Sequence, residues 1–259
     1  MGYSKSKRQA SRVVEKRNFS EVLEEYRDEI KKSWMFKELC QSLEAYRQHI
    51  VKIRCLAIGS FHEEFSAKWQ LALLMELLDY LNASKPLVSL YDPIFTEEDL
   101  TFISQFEGWS VDEHLSSEWI EDTGRILFFL PHAPLDLTEL VLSKEQPKYW
   151  LANHFVAHTD RYTKSQLFET YPLISKLVNS LSENVPRRDE TSLTDEFTTF
   201  VPRRRRKNRQ VYREPQLDYS KINSKFQNCR LLQDFQHGEL LRNQPWINAF
   251  SDLALHLID

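Results

Sequence analysis

Apolar positions along the chain change period several times, and each change marks an element. From Asn18 onward, Phe19, Val22, Leu23, Tyr26 and Ile30 recur at three- and four-residue spacing, and Phe36, Leu39, Cys40, Leu43 and Tyr46 repeat the pattern. That period predicts two amphipathic helices covering one face or edge of a sheet. The stretch 53–61 then reads as a short apolar run that stops at the lone Gly59, the first buried strand. Residues 65–81 carry an apolar stripe broad enough for a helix packed on a sheet. A second strand at 87–91 leaves sharply at Asp92-Pro93, because a residue before proline is pushed out of helical dihedrals.

Downstream the same grammar repeats. Thr96-Glu97-Glu98-Asp99 is an N-cap with an acidic first turn, opening a helix through Phe106. Gly108 ends it, and 109–111 is a short third strand. Five apolar residues in a row at 126–130, stopped by Pro131, are the pattern of a central parallel strand buried on both faces. A helix at 136–144, a fifth strand at 149–153, a helix at 167–181 and a closing strand at 249–258, antiparallel at an edge, complete the pattern. Strands alternating with helices define an α/β protein with a Rossmann-like, doubly wound, mainly parallel sheet and N-terminal helices. The usual order 3-2-1-4-5 sets strand one beside strand four.

Composition changes this picture in a few places. Residues 1–17 hold Lys5, Lys7, Arg8, Arg12, Lys16 and Arg17 with little apolar material, which predicts a flexible basic tail ahead of a single domain over 18–259. The segment 183–212 mixes Arg187, Arg188 and the run Arg203-Arg204-Arg205-Arg206-Lys207 with Ser, Thr, Asp and Glu, the composition of an exposed, disordered insertion. That run is a candidate nuclear address or anionic-surface patch, with a solvated loop as the alternative. A formal net charge of −4 over 259 residues disfavours a wholesale nucleic-acid binder. Three scattered cysteines without CxxC spacing suggest neither a disulfide framework nor a zinc knuckle, and no window approaches a membrane span. A protein of the cytosol or nucleus is expected.

In an open α/β sheet, ligands bind beyond the carboxyl ends of the strands where strand order reverses. This rule gathers Gly59, Ser60 and Phe61, then Asp92, then Pro131 and His132, then Asn153 into one candidate cleft for a small ligand. Gly59 permits close backbone approach, so the next helix could receive an anion, or it serves only a tight turn. Asp92 sits where a nucleotide fold keeps its ribose acceptor, or it caps a turn. His132, between prolines, could carry a proton, act as an axial ligand, or hold a loop. His154 and His158 have metal-ligand spacing but directly follow a strand without HExxH, and no metal site is assigned. Neither a GxSxG elbow nor a GxxxxGK[ST] loop occurs.

Cys55-Leu56-Ala57-Ile58-Gly59-Ser60-Phe61, Gln70-Leu71-Ala72-Leu73-Leu74, Tyr91-Asp92-Pro93-Ile94-Phe95, Phe128-Phe129-Leu130-Pro131-His132-Ala133-Pro134 and the closing Ala249-Phe250-Ser251-Asp252-Leu253-Ala254-Leu255-His256 together resemble the sensitivity-to-red-light-reduced family, whose fungal members include a benomyl-resistance protein. The resemblance implies a regulatory or interaction protein with protein partners. It links the chain to circadian and light signalling, haem-synthesis regulation and microtubule-related drug resistance. The family's sheet is similar to that of S-adenosylmethionine-dependent methyltransferases, so an enzyme of that type is the alternative. Gly59-Ser60-Phe61 stands where those enzymes commonly show GxG. S-adenosylmethionine and haem are the cofactor candidates.

Overall fold

In a computed structural model that describes residues 17–81, 87–115, 120–183 and 216–259, the apolar runs form one seven-stranded sheet. The strands are β1 (Lys52–Leu56), β2 (Leu87–Tyr91), β3 (Trp109–Val111), β4 (Ile126–Leu130), β5 (Tyr149–Asn153), β6 (Cys229–Gln233) and β7 (Leu253–Ile258). Their order is β3-β2-β1-β4-β5-β7-β6. The first five are parallel, and β1 lies beside β4 with Ile53 opposite Leu127 and Cys55 opposite Phe129, as the two most apolar runs predict. β4 and β5 are buried at every position, which both-face coverage requires.

The helices are α1 (Phe19–Lys32), α2 (Trp34–Leu43), α3 (Phe65–Leu81), α4 (Glu97–Ile103), α5 (Leu135–Lys144), α6 (Phe155–His158), α7 (Lys164–Thr170), α8 (Pro172–Glu183) and α9 (Ile247–Phe250). Side chains of α1, α2 and α3 share one core with Ile53, Cys55, Leu127 and Phe129, whereas α5, α7 and α8 share another with Leu56, Phe128, Leu130 and Trp150. The alternation of β1 and β4 side chains thus separates the two faces of a doubly wound sheet.

Several expectations change. The closing strand begins at Leu253 rather than at 249, because α9 takes Ile247–Phe250, and α4 ends at Ile103 rather than at Phe106. The closing strand is antiparallel to β5, but it lies one place inside the edge, because β6 pairs antiparallel with it and takes the edge itself. The stretch expected as one helix over 167–181 is two, since Pro172 lacks the amide that a continuous helix would need and Tyr171 leaves helical dihedrals. The first strand is shorter than the apolar run, because Ala57 and Gly59 turn left-handed (φ 53° and 80°). The expected disordered insertion falls outside the described residues except at its first residue, Glu183, which closes α8; the basic tail does so except for Arg17, which pairs with Glu25.

A charge also lies inside the sheet. Arg54, at the middle of β1, is 0% exposed. Its guanidinium donates to Ser89 on β2, to Asp112 just after β3, to the Leu115 carbonyl and to Glu145 at the end of α5, with Nε 3.2 Å from Glu145 Oε2. A buried guanidinium needs such partners, because an unpaired one would shed its water without return. Burial pushes the Glu145 carboxyl up, against the opposing pull of Arg54.

Candidate functional site

The strand order sets the predicted site residues in a row along the carboxyl edge, from Asp92 just after β2 through Gly59 after β1 and His132 after β4 to Asn153 on β5. Gly59 and Asp92 meet directly: Asp92 Oδ2 accepts from the Gly59 amide at 2.7 Å, while Oδ1 accepts from Ile94 N at 3.1 Å. The turn-capping role of Asp92 is therefore present, and the same carboxylate grips the neighbouring loop. At Gly59 a Cβ would come within 2.9 Å of Glu64 Oε2 and 3.2 Å of Ala67 Cβ, at a left-handed φ. Glycine is thus required by the close approach of this loop to α3. A carboxylate beside the glycine, and another already on its amide, make this a poor cradle for phosphate.

Ser60 and Phe61 turn inward. Phe61 is sealed in the core among Phe19, Phe95 and Phe102, with ring centroids 5.5–6.1 Å away. Ser60 is buried, and its hydroxyl bonds Asp99 and receives the Glu63 amide at 3.4 Å. Pro131 is buried, whereas His132 stands in solvent in the turn to α5. Asn153 is buried and donates through Nδ2 to both oxygens of Asp252 at 3.1 and 3.2 Å, and its Oδ1 has no hydrogen-bond partner. Arg203–Arg206 and Lys207, the nuclear-address candidate, lie outside the described residues.

Two acid–histidine pairs that sequence reasoning missed brace this edge. Asp99, fully buried, accepts from the His62 ring at Nδ1 (2.7 Å), from the His62 amide (3.1 Å) and from Thr96 N (2.9 Å). Burial would raise its carboxyl, but these bonds and the Ser60 hydroxyl outweigh burial and hold it below the usual range. The carboxylate acceptor places a ring proton on Nδ1 and leaves Nε2 as the nitrogen not engaged by Asp99. Asp99 was legible as an acid in the first turn after the Thr96 N-cap, where it also closes a capping box. Its second role with a histidine 37 residues upstream has no local signature.

On the other side, Asp252 receives His158 Nδ1 at 3.1 Å together with Asn153. These bonds hold its carboxyl low although burial opposes them. His154 uses Nδ1 to accept the Val156 and Ala157 amides and so caps α6. Burial lowers its pKa, which favours the neutral form that can accept. Both histidines of the metal-like spacing are thus committed, and among the described residues no group of three or more His, Cys, Asp or Glu side chains could hold a metal ion. Beside His154 a cavity of about 360 Å³ is bounded by Asp234, His237 and Asp252. The turn Phe235-Gln236-His237-Gly238, in which four successive residues are left-handed, lends His237 and Gly238 to its wall. That conformation costs non-glycine residues about 1–2 kcal/mol each. The turn is held by Gln233 Oε1 on the Phe235 amide and by Gln236 reaching Glu38 on α2.

These features define an α/β protein whose carboxyl edge is cross-braced by side chains. The sequence matches the SRR1 domain over residues 36–257, and the chain belongs to that family. An SRR1-like protein of Drosophila melanogaster is 28% identical over 118 residues, which cover 46% of this chain and 42% of that relative. The match therefore spans less than half the length of the curated relative. No solved structure matches the chain. Among the described residues no helix is long and apolar enough to cross a membrane.

Proposed function

We propose that this chain is a regulatory protein that works by binding partners at the carboxyl edge of its sheet. The observation that supports this reading is the commitment of the edge's polar groups to one another: Asp92 to Gly59 and Ile94, Asp99 to His62 and Thr96, Asp252 to Asn153 and His158. At the same end, the apolar side chains of Phe65 and Ile94 keep 54% and 51% of their surface in water. The processes associated with the family, circadian and light signalling, haem-synthesis regulation and microtubule-related drug resistance, are the settings in which such binding would act. Residues 203–207 would supply nuclear entry, with the cytoplasm as the other location. The alternative reading is an S-adenosylmethionine-dependent methyltransferase, favoured by β1 lying beside β4 with Asp92 at the end of β2.

Thermal denaturation with S-adenosylmethionine, NAD, ATP and haem separates the two. A ligand at a hundredfold excess over its dissociation constant adds about 2.7 kcal/mol to folding stability. The binding-protein reading expects no rise with S-adenosylmethionine, and it expects Phe65→Ser with Ile94→Ser to fold normally yet fail to restore regulation in cells lacking the protein. A rise with S-adenosylmethionine that Asp92→Asn abolishes would establish the enzyme instead.

A further inference from the structure

Beside the braced edge, the start of α1 and the outward side of α4 enclose a groove of about 430 Å³. Phe19, His62 and Phe102 form its aromatic part, and Glu97, Glu98 and Thr101 its polar part. The two glutamates occupy the first turn of α4, where acids are common because they complement the helix dipole. Here the cap is already complete without them, since Thr96 and Asp99 satisfy each other's backbone amides. Both glutamates are exposed, and neither carboxylate pairs with a cation among the described residues.

The aromatic part is equally specific. Phe19 stacks on His62 with centroids 3.9 Å apart and meets Phe102 edge-on at 5.3 Å. The Lys68 ammonium sits 5.4 Å from the Phe19 ring, so one ring of the group already attracts a cation, and the half-buried Phe102, packed against Phe19, Phe61, His62 and Phe106, turns its remaining surface to the groove. His62 is 22% exposed, and with Nδ1 committed to Asp99 it keeps Nε2 as the nitrogen not engaged by that carboxylate. Two carboxylates, an aromatic ring and an imidazole whose Nε2 is not engaged by Asp99 form a set that suits a planar, multidentate cation. A guanidinium stacks on rings and forks onto carboxylates, whereas an ammonium does neither as well.

We propose that this groove takes an arginine-bearing segment of a partner protein, with the guanidinium held by Glu97, Glu98 and Phe102 and a further donor met by His62. The proposal rests on the binding-protein reading and names the chemistry of one partner. Its failure is distinguishable from failure of that reading: a response to S-adenosylmethionine bears on the strand-end cleft, and peptide binding bears on this groove.

The test is fluorescence anisotropy with the full chain and a short fluorescein-labelled peptide of alternating arginine and serine. The expected result is saturable binding, weakened about tenfold by Glu97→Gln with Glu98→Gln, as two partly exposed charge contacts would give. Phe102→Leu and His62→Gln should each weaken it several-fold, and a lysine–serine peptide should bind more weakly than the arginine one. Asp28→Asn with Glu29→Gln removes the same charge from the exposed side of α1 and should change nothing. Melting temperatures near wild type for the glutamine pair show that folding is not the cause. No binding, an equal loss in the Asp28/Glu29 pair, or no preference for arginine would overturn the proposal. Equally tight binding of N-acetylarginine amide would make the occupant a small guanidinium. Tighter peptide binding after removal of residues 1–16, whose lysines and arginines immediately precede Arg17, would make this chain its own occupant.

Discussion

Replacing Arg54 by methionine tests the most demanding arrangement in the sheet. The substitution keeps an unbranched apolar stem and removes the guanidinium with its charge. It leaves Glu145, itself 2% exposed, without the cation that opposes its desolvation, and it strips partners from Ser89, Asp112 and the Leu115 carbonyl. Breaking a buried ion pair from one side costs about 3–5 kcal/mol. With a urea slope of about 1–3 kcal/mol per molar, the midpoint should fall by roughly 2 M. Glu145→Gln in the same background should return part of the loss, with a coupling of about 0.5–3 kcal/mol in a double-mutant cycle. The pH dependence follows from Glu145. A raised carboxyl pKa means that the folded state holds the proton more tightly than the unfolded chain, so stability rises as pH falls through the folded value. Without Arg54 that value rises further, so the deficit of Arg54→Met should be largest at neutral pH and shrink on acidification. A loss under about 1 kcal/mol, or strict additivity with Glu145→Gln, would refute this account of the network.

Asp92→Ala should cost about 1–3 kcal/mol in thermal or urea unfolding, because two amides lose their acceptor. His132→Ala, in solvent, should stay within about 0.5 kcal/mol; the opposite order would mean that the strand-end roles are exchanged. Gln146 follows the last turn of α5 at φ 50°, where glycine is the favoured residue, so Gln146→Gly should add about 0.4–1 kcal/mol, and a loss of stability would contradict it. The lowered carboxyls of Asp99 and Asp252 contribute stability that is present above the unfolded value of 3.8 and lost as pH falls below it. Asp99→Asn should flatten that acid limb, and an unchanged limb would assign it to other groups.

Strands that alternate with helices were legible because central parallel strands leave continuous apolar runs, and Ile126–Leu130 and Tyr149–Asn153 are buried throughout. β6 was not, because an edge strand exposes Arg230 and Leu231 and keeps only Cys229 fully buried, a pattern too weak to separate from a loop. The break at Pro172 was hidden by apolar spacing that continues across it into α8. At the site, proximity along the carboxyl edge followed from topology alone, but hydrogen bonding did not. Arg54 finds partners 35, 58 and 91 residues away, and His62 finds Asp99 37 residues away. Such pairs leave no periodic trace, and each member alone looks like an ordinary surface charge.

The acids at the strand ends have a common geometry that bears on what the edge can do. Parallel strands end in loops that turn away into separate helices, so only isolated backbone bonds, such as Ala57 N to the Tyr91 carbonyl and His154 N to the Asp252 carbonyl, join neighbouring segments there. Side chains supply the missing connections: Asp92 reaches from β2 to the loop after β1, Asp99 from α4 to that same loop, and Asp252 from the start of β7 to β5 and α6. Each carboxylate accepts two or more donors, and charge-assisted bonds of this kind are stronger than neutral ones. The loops are thereby held in fixed relation, with Phe65, Ile94, Glu97, Glu98 and His132 left facing solvent between the braces. A rigid edge with exposed groups loses little side-chain freedom beyond those contact residues when a partner docks, which lowers the entropic cost of association. On the binding-protein reading, preorganisation of the edge is therefore the property that these acids would confer.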